Sequence, residues 1–250
     1  MSSLTLRLVT LVSLSLVSLG CGGYPILFAD DFETYALGSE PLGPWRKSGE
    51  GTASVDDQRS VSGKKSIHIR SGEGYKNRSI LTFASPNVFP LKRNRYYGRM
   101  FMYVDDASPD GVHWTMLESS GKIPGKEVTA EVRYGGQHSK RLMANYETVG
   151  ARTDCWQHSS LKIPEKRWFK VNWFFDGRRN LMRIWIDGKP VDEIGVKQRG
   201  EGCLGNDLNG EWIFPVFQNV QIGWVDYQLG GGTRDVWIDD LAISTKAMDR

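Results

Sequence analysis

Apolar and polar residues alternate in short runs along most of the chain, and turn-forming dipeptides separate these runs. A two-residue period is typical of β-strands that bury one face and expose the other. Asp-Gly or Asn-Gly pairs beginning at positions 110, 176, 187 and 209 favour the positive φ angles of tight hairpins. Helical periodicity is absent from windows longer than about ten residues. The predicted strands are Ser66–Arg70, Tyr96–Val104, His113–Ser119, Val128–Tyr134, Arg141–Glu147, Trp168–Phe175, Leu181–Asp187, Val220–Val225 and Val236–Ile243.

The clearest hairpin consists of two aromatic-rich runs, 168–175 and 181–187, on either side of Asp176-Gly177. A sandwich buries one face of each sheet, so most of these aromatic side chains are expected in the core. Many short strands separated by turns predict an all-β fold, namely an antiparallel β-sandwich of two large sheets in a single domain.

Residues 1–20 have a different pattern. A single cation, Arg7, precedes an apolar and hydroxylated stretch at 8–19, which is the layout of a signal peptide that is removed from the mature protein. Gly20 before Cys21 resembles a bacterial lipoprotein signal, in which the cysteine takes the lipid, although Ser18 stands where that pattern prefers leucine. Ordinary secretion and an uncleaved anchor are the alternatives. Residues 21–26 are then a short spacer, and 27–250 the β-sandwich domain.

Composition narrows the class of protein further. The chain has 250 residues, and 32 Lys and Arg against 29 Asp and Glu give a net charge of +3, which is too small for a dedicated nucleic-acid-binding protein. No internal apolar run reaches the roughly 20 residues of a membrane-spanning helix, which excludes a polytopic membrane protein. Lipidation of Cys21 would leave two cysteines, Cys155 and Cys203. Disulfides persist in exported proteins, so these two are predicted to pair, with two unpaired thiols as the alternative.

Four segments resemble the concanavalin A-like jelly roll: LFADDFETY near the start, then VSGKKSIHI, WIDGKPV and the closing VWIDDLAIS. Three others, YYGRMFMYV, HWTMLESSG and RLMANYET, are similar to the Cip1-like group, which is related to glucuronan lyases and more distantly to alginate lyases. The resemblance covers nearly the whole mature chain, from Leu27 to Ser244. It implies a monomeric carbohydrate-active jelly roll whose partner is an acidic polysaccharide. Contact with a membrane is expected only through an N-terminal lipid.

The same resemblance implies a structural calcium ion (Ca2+) between the first strand, an early loop and the last strand. Calcium prefers several hard oxygen ligands from carboxylates and carbonyls. Lys64 and Lys65 add positive charge nearby, which weakens such a site, and solvated acids at strand ends are the alternative. The implied ligands are Glu33, Ser62, Lys65 through its backbone oxygen, and Asp239, with Asp240 as the alternative carboxylate.

A groove for a sugar chain needs aromatic faces for the rings and polar groups for hydroxyls or carboxylates. Polar side chains on internal strands must find partners or face such a wet groove. Adjacent residues of a strand point to opposite faces, so the sequence leaves open which subset lines the groove. The candidate substrate contacts are Tyr97, Trp114, Tyr134, Asn145 and Gln221.

The related lyases cleave uronate polymers by β-elimination. The substrate carboxylate is neutralised, the C5 proton is removed, and the leaving oxygen is protonated. Arginine binds carboxylates well, and histidine and tyrosine suit the two proton transfers. The candidate catalytic residues are His113 as base, Tyr146 or Tyr227 as acid, Arg99 and Arg133 as carboxylate ligands, and Asn145 or Gln221 as neutralisers.

Other catalytic signatures are absent from the sequence. It has no Gly-x-Ser-x-Gly elbow, P-loop or His-Glu-x-x-His motif, and Glu118 lacks the neighbouring acids of a retaining glucanase. Residues 221–223, Gln-Ile-Gly, begin like an alginate-lyase motif but lack its histidine. The sequence therefore favours a secreted or lipid-anchored polysaccharide lyase. The alternatives are a non-catalytic carbohydrate-binding protein and a structural or adhesive envelope lipoprotein.

Overall fold

The computed structural model describes residues 26–150, 153–205 and 208–248. Within them the chain forms two antiparallel sheets that pack face to face, which confirms the predicted all-β sandwich. The predicted signal peptide and Cys21 lie outside the described residues. The strands are β1 (Ile26–Asp30), β2 (Trp45–Ser48), β3 (Thr52–Asp56), β4 (Ser66–Ser71), β5 (Ser79–Phe83), β6 (Arg95–Val104), β7 (Trp114–Lys122), β8 (Thr129–Gln137), β9 (Arg141–Val149), β10 (Thr153–Lys162), β11 (Trp168–Asp176), β12 (Leu181–Ile186), β13 (Lys189–Pro190), β14 (Gly202–Leu204), β15 (Val216–Phe217), β16 (Val220–Asp226) and β17 (Arg234–Ser244).

Helical structure in the described part of the chain is confined to two single-turn 3₁₀ segments, Tyr75–Asn77 and Asp192–Ile194. Neither these nor any other described segment forms a helix long and apolar enough to span a membrane.

The back sheet has eight strands in the order β13-β12-β11-β6-β17-β4-β3, with β1 also paired to β17. Burial alternates strictly along its central strand, β6, where Tyr96, Met100 and Val104 are fully buried. On β11, Phe169 and Trp173 also point into the core, as the sequence predicts for most aromatic residues of this hairpin. Strand β6 therefore follows the simple rule of one buried and one more exposed face. On the outer face of β11 and β12, by contrast, Phe174, Leu181 and Trp185 form a second, smaller buried cluster.

The front sheet has nine strands in the order β14-β10-β9-β8-β7-β16-β5-β2, with β15 also paired to β7. Its middle strands do not show simple alternation. Val132 and Tyr146 fill the core, but Arg133 and Asn145, on the outer face, are only 4% and 2% exposed. Polar side chains on that outer face therefore bury one another, as they do where side chains line a groove.

Each predicted strand is present within three residues of its predicted bounds. Several strands escaped prediction, including β2, β3 and β10. The first two are too short to show a two-residue period, since they have 4 and 5 residues. Strand β10 (TDCWQHSSLK) is mostly polar. Strand β10 is fixed in the sheet by its pairing with β9 and β14. Its own sequence does not encode that pairing.

The predicted disulfide is present. Cys155 on β10 lies directly opposite Cys203 on β14, and their sulfur atoms are bonded at 2.04 Å. The bond joins the short edge strand β14 to the front sheet.

Candidate functional site

A row of polar side chains crosses the outer face of the front sheet. Residues directly opposite one another on neighbouring strands point to the same face. The register therefore aligns side chains that are far apart in sequence. From β10 to β2 the row contains Trp156, Asn145, Arg133, Glu118, Gln221, Thr82 and Arg46.

The Arg133 guanidinium lies at the centre of this row and is surrounded by carboxylates. Its Nε donates to Glu118 Oε2 at 3.1 Å, and its Nη2 donates to Glu147 Oε2 at 2.5 Å and to Glu131. Gln221 donates to the other oxygen of Glu118 at 2.5 Å. Arg133 Nη1 has no hydrogen-bond partner among the described residues. Three acidic side chains therefore surround one cation in this part of the groove.

His113 is held beside this cluster by an amide that fixes its tautomer. The Nδ2 of Asn145 donates to the Cys155 carbonyl at 3.2 Å, so the amide oxygen faces the imidazole. That oxygen accepts a hydrogen bond from His113 Nε2 at 2.8 Å. Nε2 therefore carries the proton in the neutral ring, and the lone pair of Nδ1 has no hydrogen-bond donor among the described residues. This is the arrangement that a general base requires.

Tyr227 lies next to His113 on the same face. Its backbone nitrogen donates to the His113 carbonyl at 2.9 Å, and the two ring centroids are 5.0 Å apart. Its hydroxyl is 3.2 Å from Thr115 Oγ1, and Arg133 Cζ is 5.6 Å from its ring centroid. A proton acceptor therefore lies beside a proton donor and a cation that line the same groove.

Burial sets the protonation states of these groups. Desolvation lowers the pKa of His113 to about 4, against a smaller opposing effect of the Asn145 hydrogen bond. It raises the pKa of Tyr227 to about 12, although nearby Arg133 opposes the shift. It also raises the pKa of Glu118 to about 7, again opposed by Arg133. At neutral pH the histidine is thus neutral and the tyrosine is protonated.

The groove encloses a cavity of about 510 Å³, and a short 3₁₀ turn forms part of its rim. Tyr75 in that turn is 55% exposed and lies 5.9 Å from Tyr227, centroid to centroid. Arg78 follows the turn, with Cζ 4.2 Å from the centre of the Tyr75 ring, and has no carboxylate partner among the described residues. The lining residues are Ser48, Tyr75, Arg78, Ile80, Thr115, Leu117, Glu118, Glu131, Arg133, Glu147, Val149, Gln221, Val225 and Tyr227.

Three predicted groove residues instead lie in the core. Tyr146 is fully buried, and its hydroxyl donates to the Ile213 carbonyl at 2.8 Å. Tyr134 is fully buried on the core face of β8, and Trp114 stacks on buried Trp224 with ring centroids 4.5 Å apart. Their placement in the groove was wrong because strand alternation directs each of them to the inner face.

Two further predicted residues lie on the other sheet. Arg99 and Tyr97 belong to β6 in the back sheet. Tyr97 stacks on Phe174 with ring centroids 4.4 Å apart, and Arg99 lines a surface depression beside Asp30 and Asp240. Grouping Arg99 and Tyr97 with His113 was wrong, because the sandwich assigns β6 to the sheet opposite β7.

Four charged or aromatic residues of the groove were not singled out from the sequence. Glu131 and Glu147 lie two positions from Arg133 and Asn145 on their own strands, so alternation places them on the same face. Once that face was known, the sequence would have identified both. Tyr75 and Arg78 belong to a turn between strands and carry no periodic signal.

The residues at the position implied for calcium already make other contacts. Lys65 Nζ already donates to the carbonyl oxygens of Glu33 and Tyr35, at 2.9 and 2.8 Å. Backbone N–H groups donate to Glu33 Oε1 and to both carboxylate oxygens of Asp239. The described residues contain no cluster of three or more His, Cys, Asp or Glu suited to a metal ion. The arrangement does not fit a calcium ion.

Comparison with known proteins identifies the family to which the chain is similar. The model of the Cip1-like core domain of polysaccharide-lyase-like proteins matches residues 42–246, which is more than half of the chain. No curated protein sequence matches it.

Two solved structures share the fold. The cellulose-induced protein Cip1 is similar with a TM-score of 0.65 and 20% sequence identity, covering 89% of this chain and 99% of that one. An endo-β-1,4-glucuronan lyase from the fungus Trichoderma reesei is similar with a TM-score of 0.55 and 14% identity, covering 90% and 97%. At such identities the likeness establishes the fold alone.

Proposed function

The chain belongs to the Cip1-like family of polysaccharide-lyase-like proteins, and from this membership we propose that it is an exported lyase that cleaves uronate-containing glycans by β-elimination. The observation that carries the proposal is the contact between His113 and Tyr227, which lines the groove; their ring centroids are 5.0 Å apart. The Cys155–Cys203 disulfide supports export, because such bonds persist outside the cytoplasm.

The two side chains have complementary proton-transfer roles. His113 Nδ1 takes the C5 proton of the uronate, and the released electron pair forms the C4–C5 double bond. The C4–O bond breaks, and the leaving oxygen takes the proton of the Tyr227 hydroxyl. A neutral histidine and a protonated tyrosine, as their shifted pKa values provide at neutral pH, are the required starting states.

We assign neutralisation of the substrate carboxylate to Arg78. Arg133 was the predicted residue, but three glutamates already surround it. Arg78 lines the same cavity and makes no ion pair with a described residue. The exposed ring of Tyr75 beside it offers an apolar face on which a sugar ring can stack.

The catalytic assignment is tested with His113→Gln and Tyr227→Phe. Gln keeps a donor for Asn145 but has no basic nitrogen, and Phe removes only the acidic proton. Each change is expected to lower kcat by about 10²–10⁴-fold, the usual contribution of a positioned acid or base. The rate is followed by ultraviolet absorbance of the conjugated double bond, with glucuronan and alginate as substrates.

Tyr146→Phe is the matched control, because Tyr146 lies in the core and its hydroxyl bonds only to the Ile213 carbonyl. It should cost about 1 kcal/mol of stability and leave kcat unchanged. Full activity of the His113 or Tyr227 variants would contradict the assignment.

The role of Arg78 is tested separately with Arg78→Gln. Loss of a charge-assisted hydrogen bond to the substrate should raise KM roughly tenfold or more and alter kcat less. Arg93→Gln is the control, since Arg93 is an exposed arginine in the segment before β6 and does not line the cavity. Equal effects of the two substitutions on KM would refute a specific contact at Arg78.

Carbohydrate binding without turnover is the second candidate function. It is favoured by the internal neutralisation of Arg133 and by the exposed Tyr75 ring, which suit a static contact. A folded wild-type protein that binds uronate polymers in calorimetry but produces no unsaturated product would support this candidate over the lyase.

A further inference from the structure

The loop at residues 61–65 joins the beginning and the end of the described chain. It follows β3 and leads into β4, and it contacts both the segment after β1 and the last strand, β17. This is the position at which the family resemblance implies a calcium ion. At this position hydrogen-bond donors face the carboxylates, whereas a cation site needs oxygen atoms that face the ion.

Hydrogen-bond donors converge on the Glu33 carboxylate. The backbone nitrogens of Lys64 and Lys65 donate to Glu33 Oε1 at 2.7 and 2.6 Å. A Cβ on Gly63, whose φ is +55°, would lie 2.5 Å from Glu33 Cδ, so the carboxylate rests directly on the glycine backbone. These two N–H donors lower the pKa of Glu33. The loop therefore satisfies this carboxylate as an anion.

Asp239 on β17 also accepts hydrogen bonds from the backbone of this loop. It is fully buried, and its Oδ2 accepts from the backbone nitrogens of Val61 at 2.7 Å and Ser62 at 3.3 Å. Its Oδ1 accepts from the Asp240 nitrogen at 2.8 Å, and Asp240 Oδ1 accepts from the Ser62 hydroxyl at 2.8 Å. Each of these oxygens faces a hydrogen atom instead of a metal.

Lys65 places its positive charge inside this junction. Its ammonium donates to the carbonyl oxygens of Glu33 and Tyr35, at 2.9 and 2.8 Å, and so holds the segment after β1 against the loop. Carbonyl oxygens are hard ligands of the kind that calcium uses. An ammonium within hydrogen-bond distance of both excludes a second cation by occupancy and by charge.

We propose that the Lys65 ammonium takes the place of a calcium ion and ties the two ends of the domain together, so that the protein is stable without a divalent cation. The proposal is independent of the lyase function, because its readout is the melting temperature of the protein.

The first experiment compares thermal unfolding of the wild-type protein in excess chelator and in excess calcium. We expect the same Tm in both. A metal bound at a hundred times its dissociation constant would raise the Tm by about 5 °C or more for a chain of this size. Such a rise, or stoichiometric calcium in the purified protein by elemental analysis, would overturn the proposal.

The second experiment compares Lys65→Met with Lys64→Met. Met keeps most of the apolar stem of lysine and removes the ammonium. Loss of two charge-assisted hydrogen bonds at position 65 should lower the Tm by at least about 4 °C. Lys64 is exposed and contributes to the loop through its backbone nitrogen, so its variant should melt like the wild type.

Lys65→Arg retains a cation and should recover at least part of the lost Tm. An unchanged Tm in Lys65→Met, or an equal loss in Lys64→Met, would overturn the role of the ammonium. Because the calcium comparison uses only the wild-type protein, the proposal stays testable if Lys65→Met does not fold.

Discussion

At the scale of single residues, the groove depends on charges that compensate one another. Arg133 is only 4% exposed and is paired with Glu118, Glu131 and Glu147. A buried cation is tolerated only with such partners, since removing an unpaired charge from water is costly. The excess of carboxylates repels an acidic glycan at neutral pH. Protonation of Glu118 relieves part of that repulsion.

This charge balance predicts a pH profile with two limbs. As the pH falls through about 7, Glu118 takes a proton and loses its negative charge, so binding of a uronate polymer should strengthen. As the pH falls through about 4, His113 takes a proton and can no longer act as a base, so turnover should stop. Initial rates on glucuronan should therefore show a maximum of kcat/KM between these two values.

Glu118→Gln separates the two limbs. Glutamine is uncharged at every pH and can still accept from Arg133. The variant should lose the change in KM near neutral pH and keep the acid limb in kcat. If kcat/KM of the variant still rose as the pH fell through 7, that limb would belong to another titrating group.

At the scale of elements, the strands of the front sheet show why burial there departs from alternation. The bulge in β7 between Thr115 and Leu117 lies over Gly135 of β8. A Cβ on Gly135 would overlap the carbonyl oxygen of Trp114, so only glycine permits this approach. The bulge brings the start of β7, with His113 just before it, over the row that contains Asn145. The site thus depends on one close contact between strands.

The edge of the same sheet depends on the disulfide. Cys155 and Cys203 are 48 residues apart, and their bond ties three-residue β14 to β10. Closing a loop of that length should contribute about 4 kcal/mol by restricting the unfolded chain. The Cys155→Ala, Cys203→Ala double variant should therefore lose about this free energy of unfolding in urea titrations.

Reductant provides the control for this prediction. It should lower the denaturation midpoint of the wild-type protein and leave that of the double variant unchanged. If the double variant were as stable as the wild type, the bond would serve a purpose other than stability.

At the scale of the whole molecule, the termini of the described chain meet in the back sheet. Ile26 pairs with Ser244, and Asp30 pairs with Leu241. Residue 26, at which the described part of the chain begins, therefore lies in the sheet opposite the groove.

The predicted lipid anchor gives a test in a bacterial host. The wild-type protein should be recovered in the membrane fraction, and Cys21→Ala should move it to the soluble exported fraction, as immunoblots of fractionated cells would show. Recovery of the wild-type protein in the medium would instead favour ordinary secretion.

The sequence by itself determined the strands with a clear two-residue period, the all-β class, the cysteine pair and the family. These properties depend on local alternation, composition or contiguous motifs, so they can be inferred from the sequence without knowledge of the three-dimensional structure. It also identified His113, Arg133, Asn145, Gln221 and Tyr227, which the structure places on the outer face of the front sheet or beside it.

Only the tertiary structure decided which face of each strand lines the groove. A two-residue period is the same whichever face is buried, so Tyr146 and Asn145 were equal candidates until packing placed the tyrosine in the core. Sheet membership separated Arg99 from His113, and cross-strand register brought Glu118 to Arg133. The contact of Lys65 with Glu33 and Tyr35 likewise required the fold. Each of these contacts joins residues that are far apart in the sequence. They depend on which strands pair, and local sequence does not encode that pairing.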